Sequence, residues 1–224
     1  DVSVTDDRTN VLLVDSHPRW EFRYLRNLFY GRDKSVHLQE YLIHPDTIAG
    51  QPEVKLPPAS TSRKFGDSES GSYPKDRSEW RKFDVIIIGD LNSDELPDPV
   101  VEEIRYCVEE RGALLVVIAG PEAMPHKIRN ETLRRMLPIV YTPSEKDYRL
   151  PPEAEYNFSL TPSGRGHQVM TQSSSSSENE SIWQDLPVFG WRYPVDGVKP
   201  GAEVLAYAVP VRADNASLAQ LAVR

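Results

Sequence analysis

Residues 83–90 read FDVIIIGD, and this stretch decides the fold class. Its apolar run does not alternate with polar residues, and it ends in glycine and aspartate. An uninterrupted run of this length is typical of a strand that is buried on both faces, as the strands of parallel sheets are. Two other stretches have the same form: VLLVD at 11–15 and ALLVVIAG at 113–120.

Residues 19–30, RWEFRYLRNLFY, follow the first of these strands at a helical spacing. One broad face of this predicted helix holds Trp20, Tyr24, Leu25, Leu28 and Phe29. We expect that face to be buried and Gly31 to end the helix. The opposite side holds Arg19, Arg23 and Arg26, for which a solvated face is expected and anion binding is the alternative.

A second helix is predicted from Asp98 as N-cap, through Pro99 in the first turn, to Gly112 as the stop. Its apolar face consists of Val100, Val101, Ile104, Cys107 and Val108. Residues 36–45 predict another strand, and Asn130 is expected to cap a short helix. The alternation of strands and helices predicts an α/β fold with a mostly parallel sheet.

Several segments fall outside this alternation. Residues 1–10 are polar and are expected to lead in from a preceding domain, so the domain itself is assigned to 11–224. Residues 46–77 are rich in proline, serine and charge, which predicts a long insertion loop that is either functional or disordered. The serine run at 173–181 predicts a mobile loop.

The second half of the chain predicts an irregular extension with some β structure. Strands are expected at 138–141, 156–160, 202–211 and 218–224, and a turn at 161–166.

Composition excludes several classes of protein. Lys and Arg number 26 and Asp and Glu 34, a net charge of −8, which argues against nucleic acid as a partner. One cysteine excludes a disulfide framework and a multi-cysteine zinc site. The five histidines lack ligand spacing and no phosphate-loop or dinucleotide motif occurs, so no metal and no cofactor are expected. No apolar run is long enough to cross a membrane.

The carboxyl ends of parallel strands predict where a ligand would bind, because clefts form where the strand order reverses. Three loops qualify here, following the strands at 11–15, 83–90 and 113–120. Their candidate site residues are Asp15, Ser16, His17, Arg19, Asp90, Asn92, Ala119, Gly120 and Glu122. The functional interpretation is a small polar site, and the structural one is a set of caps and turn formers.

Three segments together resemble a known family: VLLVDSHPRWEFRYLRNLF, FDVIIIGDL and ALLVVIAGPEAM. They look like the glutamine amidotransferase-like domain of large bacterial membrane proteins that also carry von Willebrand A regions. The later stretch IWQDLPVFGWRYPVDGVKPGAEVLAYA is similar to the C-terminal part of that domain. The resemblance implies a flavodoxin-like fold with helices on both faces of the sheet. It also implies an extracytoplasmic, periplasmic-side location, in a protein that reaches the membrane only through the rest of its chain.

The catalytic residues of true amidotransferases are missing from the matching positions. Their cysteine nucleophile follows the strand that corresponds to ALLVVIAG, where this chain has residues 118–121, Ile-Ala-Gly-Pro. Their His-x-Glu pair is also missing. Covalent catalysis needs both a nucleophile and a base within hydrogen-bond reach, so glutaminase activity is not expected. Cys107 lies on the apolar face of a helix and is expected to be structural.

Three hypotheses follow. The first is a non-catalytic domain that binds a partner protein, another domain of its own chain or a small ligand. The second is a hydrolase of a sugar or an ester that uses Asp15, His17, Asp90 and Glu122 at the strand ends. The third is a structural spacer. The first is preferred, because the fold pattern is retained while the catalytic residues are missing.

Overall fold

The computed structural model describes residues 8–64, 66–146, 148 and 155–211. Contacts between Cα atoms divide this part of the chain into two compact units. The first unit reaches Leu137 and adds Pro143–Lys146. The second unit takes Pro138–Thr142 and the described residues beyond 146.

The first unit is built on a five-stranded sheet in which every neighbouring pair of strands is parallel. The spatial order is β3-β2-β1-β4-β5. The strands are β1 Thr9–Asp15, β2 Val36–Leu42, β3 Glu69–Ser70, β4 Val85–Ile88 and β5 Leu114–Val117. The α/β fold predicted from the sequence is confirmed. Without the two-residue edge strand β3, the order β2-β1-β4-β5 agrees with a flavodoxin-like sheet, in which the order reverses beside β1.

Helices cover both faces of this sheet. On one face, Phe22 of helix α1, Trp20–Arg26, packs against a strand core of Val11, Leu13, Leu38 and Ile87. On the other face, helix α3, Asp98–Arg111, contributes Val101, Ile104 and Cys107 to a core with Leu12, Val14, Ile86 and Ile88. Because successive strand residues point to opposite faces, one uninterrupted apolar run supplies both cores.

Helix α1 turns a different face to the sheet than its apolar spacing predicts. Phe22 is its buried residue, whereas Trp20 and Tyr24 are 70% and 68% exposed. Leu25 and Phe29 do pack against the core, as expected. The helix also continues past Gly31, because a π-helical segment covers Asn27–Arg32.

Of the three arginines expected on a solvated face, only Arg23 lies there, with a side chain that is 52% exposed. Arg19 donates hydrogen bonds to the buried carboxylate of Asp15, and Arg26 donates one to the buried carboxylate of Glu40. A buried carboxylate needs a hydrogen-bonding partner. The contacts with Asp15 and Glu40 therefore orient Arg19 and Arg26 towards the sheet. The spacing of apolar residues does not show where a buried carboxylate needs a hydrogen-bonding partner, so it could not predict this orientation.

Residues 46–77, expected as an insertion loop, contain the edge strand β3 and the first residue of helix α2, Arg77–Trp80. Part of the segment packs on β2. Ala59 is buried, and the backbone N–H of Ser60 donates to the side chain of Gln39 at 3.0 Å.

The remaining helix boundaries of the first unit differ little from the prediction. The N-cap of α3 is Pro97 rather than Asp98, and its side chain makes no capping hydrogen bond. Gly112 ends the helix at φ 74°, a left-handed conformation that suits glycine. Asn130 caps helix α4, Glu131–Met136, by accepting from the N–H of Leu133.

The second unit contains two antiparallel strand pairs. Strand β6, Ile139–Val140, pairs with β8, Gly197–Val198, and β7, Tyr156–Leu160, pairs with β9, Ala206–Pro210. The predicted β extension is therefore present. Strand β7 has the predicted bounds, β6 and β9 are shorter than predicted, and β8 was not predicted. The predicted strand at 218–224 lies outside the described residues, as do residues 1–7 of the predicted lead-in, whose Thr9 and Asn10 belong to β1.

Two predictions for the second unit are corrected. The expected turn at 161–166 contains the short helix α5, Pro162–Gly166. The expected loop at 173–181 leads into helix α6, Ser176–Gln184, which the hydroxyl of Ser175 caps. Trp183 of α6 stacks on Phe158 of β7 with 4.9 Å between ring centroids, so tertiary packing holds a helix that the serine run disfavours. No helix among the described residues is long and apolar enough to cross a membrane.

Candidate ligand-binding site

The candidate site lies at the carboxyl ends of β1, β4 and β5. These strands are adjacent and parallel, so the loops that follow them emerge on the same edge of the sheet. The strand order reverses between β1 and β4, because β1 leads outward to β2 while β4 begins the other half. This is the position at which open α/β sheets form ligand clefts.

Asp15, the last residue of β1, forms a buried ion pair with Arg19. Arg19 Nε donates to Oδ1 at 3.0 Å, and Nη2 donates to Oδ2 at 2.8 Å. The close approach needs Gly89, since a Cβ there would overlap Oδ2 and lie 2.7 Å from Nη2. Burial raises the pKa of the Asp15 carboxyl, and Arg19 offsets only part of this rise.

Asp90, which follows β4, is fully committed to the backbone of the loop after β5. Its Oδ1 accepts from the N–H groups of Ala123 and Met124 at 2.7 Å each, and its Oδ2 accepts from that of Glu122 at 2.9 Å. The carboxylate is buried. Three backbone donors make Asp90 the anchor of this turn.

A chain of polar side chains lines the other wall. Ser16 Oγ donates to Oε1 of Glu95 at 2.7 Å and lies 2.8 Å from Nδ1 of His17. His44 Nε2 lies 2.8 Å from the same Glu95 oxygen. Because the serine proton goes to the carboxylate, His17 Nδ1 donates to the hydroxyl, and His44 Nε2 is likewise the donor to Glu95. The second ring nitrogen of each histidine, Nε2 of His17 and Nδ1 of His44, makes no hydrogen bond among the described residues and can bond to a ligand.

Glu95 is held in place from three sides. Its Oε2 accepts from the backbone N–H of Asn92 at 2.9 Å, and the amide oxygen of Asn92 accepts from the N–H of Glu95 at 3.0 Å. The hydroxyl of Tyr73 donates to the Glu95 carbonyl at 2.8 Å. Burial raises the pKa of Tyr73, so this hydroxyl stays a donor.

These loops enclose a cleft of about 580 Å³, within the size range of small-molecule sites. Six of the nine predicted site residues line it: Ser16, His17, Arg19, Asp90, Asn92 and Glu122. The other three do not. Asp15 and Gly120 are buried, and Ala119 is half-buried.

Five lining residues were missed by the sequence analysis: His44, Glu95, Pro121, Ala123 and Lys127. His44 follows β2, the neighbour of β1, and its backbone N–H donates to the Ser16 carbonyl at 2.8 Å. The strand-end rule applies to β2 as well, so it could have found His44. Glu95 and Lys127 lie several residues beyond their strands, and only the folding of their loops brings them to the cleft.

No nucleophile follows β5. Residues 118–121 carry no hydroxyl or thiol, and a Cβ at Gly120 would lie 2.6 Å from the Cβ of Asp90. Cys107 is buried in α3, where Sγ donates to the Trp80 carbonyl at 3.4 Å, and burial raises the pKa of its thiol to about 11. Cys107 is therefore a buried residue of the core, and its thiol is not in a setting that would make it reactive.

Comparisons with protein-family models, curated proteins and solved structures gave no match to this chain. Within the described ranges, no group of three or more His, Cys, Asp or Glu residues is arranged to hold a metal ion.

Proposed function

We propose that this chain is a non-catalytic α/β domain that binds a small ligand in the strand-end cleft. One observation carries the proposal: the two strand-end carboxylates are already occupied. Asp15 is paired with Arg19, and Asp90 accepts three backbone hydrogen bonds. Both groups shape the cleft and are not available as a general base or a nucleophile.

The test is a ligand screen on the purified chain, read by thermal shift and then by backbone NMR. We expect ligands that raise the melting temperature to perturb the resonances of His17, His44 and Ala123. Ligands that bind only elsewhere on the chain contradict the proposal. So does glutamine turnover that survives Cys107→Ala and disappears in His17→Ala.

Hydrolysis is the second candidate, and the chain of Ser16, His17, Glu95 and His44 favours it. Ser16 lies between the imidazole and the carboxylate, whereas a catalytic serine contacts the imidazole that a carboxylate orients. The His44–Glu95 pair alone has the order of a general base, and water would be the nucleophile. Ester hydrolysis by the wild-type chain that is lost in His44→Gln and kept in His167→Gln would favour this candidate over the first.

We also propose that the domain belongs to a bacterial envelope protein and lies on the periplasmic side of the membrane. The support is the resemblance of its three strand-end segments to the amidotransferase-like domains of such proteins. Cell fractionation of the natural full-length protein tests this. Recovery with the membrane, together with digestion by protease added to intact spheroplasts, is expected; recovery in the cytoplasm contradicts it.

A further inference from the structure

Two cations line the cleft, Arg19 and Lys127, and only Arg19 has an ion-pair partner among the described residues. The guanidinium of Arg19 forms an ion pair with Asp15. Lys127 also lines the cleft, is only half-buried, and has no ion pair or side-chain hydrogen bond within the described part of the chain. An anionic ligand that reaches this ammonium group gains a charge-assisted hydrogen bond that no described residue supplies.

No carboxylate of the described residues forms an ion pair with Lys127, and those of the cleft have other hydrogen-bonding partners or lie in solvent. The Asp90 oxygens accept from three backbone N–H groups, and the Glu95 oxygens accept from Ser16, His44 and Asn92. Glu122 is exposed on the rim, where solvent and salt screen its charge.

Two imidazole rings lie on the wall of the same cleft. The rings of His17 and His44 are tilted, with 5.0 Å between their centroids. Ser16 and Glu95 each hold one ring nitrogen. The other nitrogen, His17 Nε2 or His44 Nδ1, makes no hydrogen bond among the described residues, and it becomes a donor when the ring is protonated.

We infer that the cleft takes an oxyanion, the phosphate or carboxylate group of a small molecule, bound by Lys127 and flanked by His17 and His44. The inference rests on the proposed function, because it names the class of ligand for the same cleft. The ammonium provides the charge, and the two rings orient the anionic oxygens by hydrogen bonds. Ser16 and Glu95 each hold one of the two rings, and Asp90 holds the loop that precedes Lys127.

Titration with inorganic phosphate and with acetate, followed by backbone NMR, tests the inference. For the wild-type chain, at least one of the two anions should perturb residues 121–127 together with His17 and His44. Lys127→Gln should weaken that binding by about tenfold, since a charge-assisted hydrogen bond is lost. Lys82→Gln, which removes an exposed lysine elsewhere on the first unit, is the matched control and should change nothing.

Glu122→Gln gives a test of sign. Removing a rim carboxylate should tighten anion binding by about twofold to threefold at low salt, whereas it would weaken the binding of a cation. Anion binding that is unchanged in Lys127→Gln overturns the inference.

A small-molecule screen separates the inference from the proposed function. If only neutral or cationic compounds bind the cleft, the anion inference fails and the ligand-binding proposal stands. If no compound of any charge binds there, both fail.

Discussion

Two buried carboxylates lie beneath helix α1, and each is paired with an arginine from one end of that helix. Arg19 donates a hydrogen bond to each of the two carboxylate oxygens of Asp15. Glu40 receives Arg26 on Oε1 only, and its Oε2 is buried with no hydrogen-bond partner among the described residues. Two-point pairing satisfies a buried carboxylate, whereas one-point pairing leaves a desolvated oxygen that costs about 1–3 kcal/mol.

Both pairs make the stability of the fold depend on pH in the same direction. Burial raises the pKa of Asp15 and that of Glu40, and the arginines offset only part of each rise. A carboxyl with a higher pKa in the folded chain binds its proton more tightly there. The free energy of unfolding therefore falls as pH rises from the unfolded pKa, about 4, to the folded pKa of each group.

The largest effect is expected from Gly89→Ala, which would break the two-point pair by crowding. The new Cβ would overlap Asp15 Oδ2 and lie 2.7 Å from Arg19 Nη2. Crowding and a disrupted buried ion pair together should cost about 5 kcal/mol, comparable to the whole stability of a small domain. Urea unfolding followed by circular dichroism measures this loss.

Gly31→Ala is the matched control for that substitution. No atom lies within 4 Å of a Cβ at Gly31, and the residue is exposed. Its free energy of unfolding should be unchanged or higher by up to about 1 kcal/mol, because alanine is favoured over glycine in a helical segment. If both variants lost the same free energy of unfolding, the loss in Gly89→Ala could not be assigned to crowding of the Asp15–Arg19 pair.

Asp15→Ala should have the next largest effect. It leaves the guanidinium of Arg19, with a side chain only 15% exposed, with only the exposed Glu21 at 3.7 Å as a counter-ion, at a cost of about 3 kcal/mol. Asp46→Ala removes the partner of Arg23, but those side chains are 78% and 52% exposed, so its cost should be below about 1 kcal/mol. Similar free energies of unfolding for both variants would remove the distinction between buried and exposed pairs.

Glu40→Gln should change the pH dependence of stability. The amide does not titrate, so the contribution that Glu40 makes to the fall in stability with rising pH disappears. As pH rises above about 4, the free energy of unfolding of the variant should therefore fall less steeply than that of the wild type. Parallel pH profiles would show that Glu40 has no raised pKa in the folded chain.

The smallest effect is expected from Glu69→Gln. Glu69 accepts from Nη2 of the same Arg26 at 2.6 Å, but its side chain is 55% exposed. Its contribution at neutral pH should be below about 1 kcal/mol in urea unfolding. A loss as large as that of Asp15→Ala would mean that Arg26 depends on Glu69 rather than on Glu40.

The parallel sheet could be predicted because β1, β4 and β5 are uninterrupted apolar runs, which are typical of parallel strands. The expectation that β5 is buried was wrong, because it lies at the end of the sheet and Leu114 is exposed. Strand β3 could not be predicted, since the two residues Glu69–Ser70 carry no pattern and join the sheet only by pairing with β2. The face of α1 was misjudged for a related reason. Its orientation is set by Asp15 and Glu40, which are distant in sequence from each other and polar.

The candidate site divides in the same way. Residues directly after a strand, such as Ser16 and Asp90, follow from topology alone. Lys127 and Glu95 depend on how their loops fold, and that depends on side-chain contacts with the backbone. The Asp90 carboxylate holds the loop of Lys127, and Asn92 holds that of Glu95.

The contact between Gly120 and Asp90 limits how this fold could change during evolution. Any side chain at position 120 would overlap the Asp90 carboxylate, so a cysteine or serine cannot enter there by one substitution. Shortening Asp90 first would leave the three N–H groups of Glu122, Ala123 and Met124 without their acceptor. Each single step lowers stability before any new chemistry is gained, so glycine at this position is much easier to keep than to replace with a nucleophile.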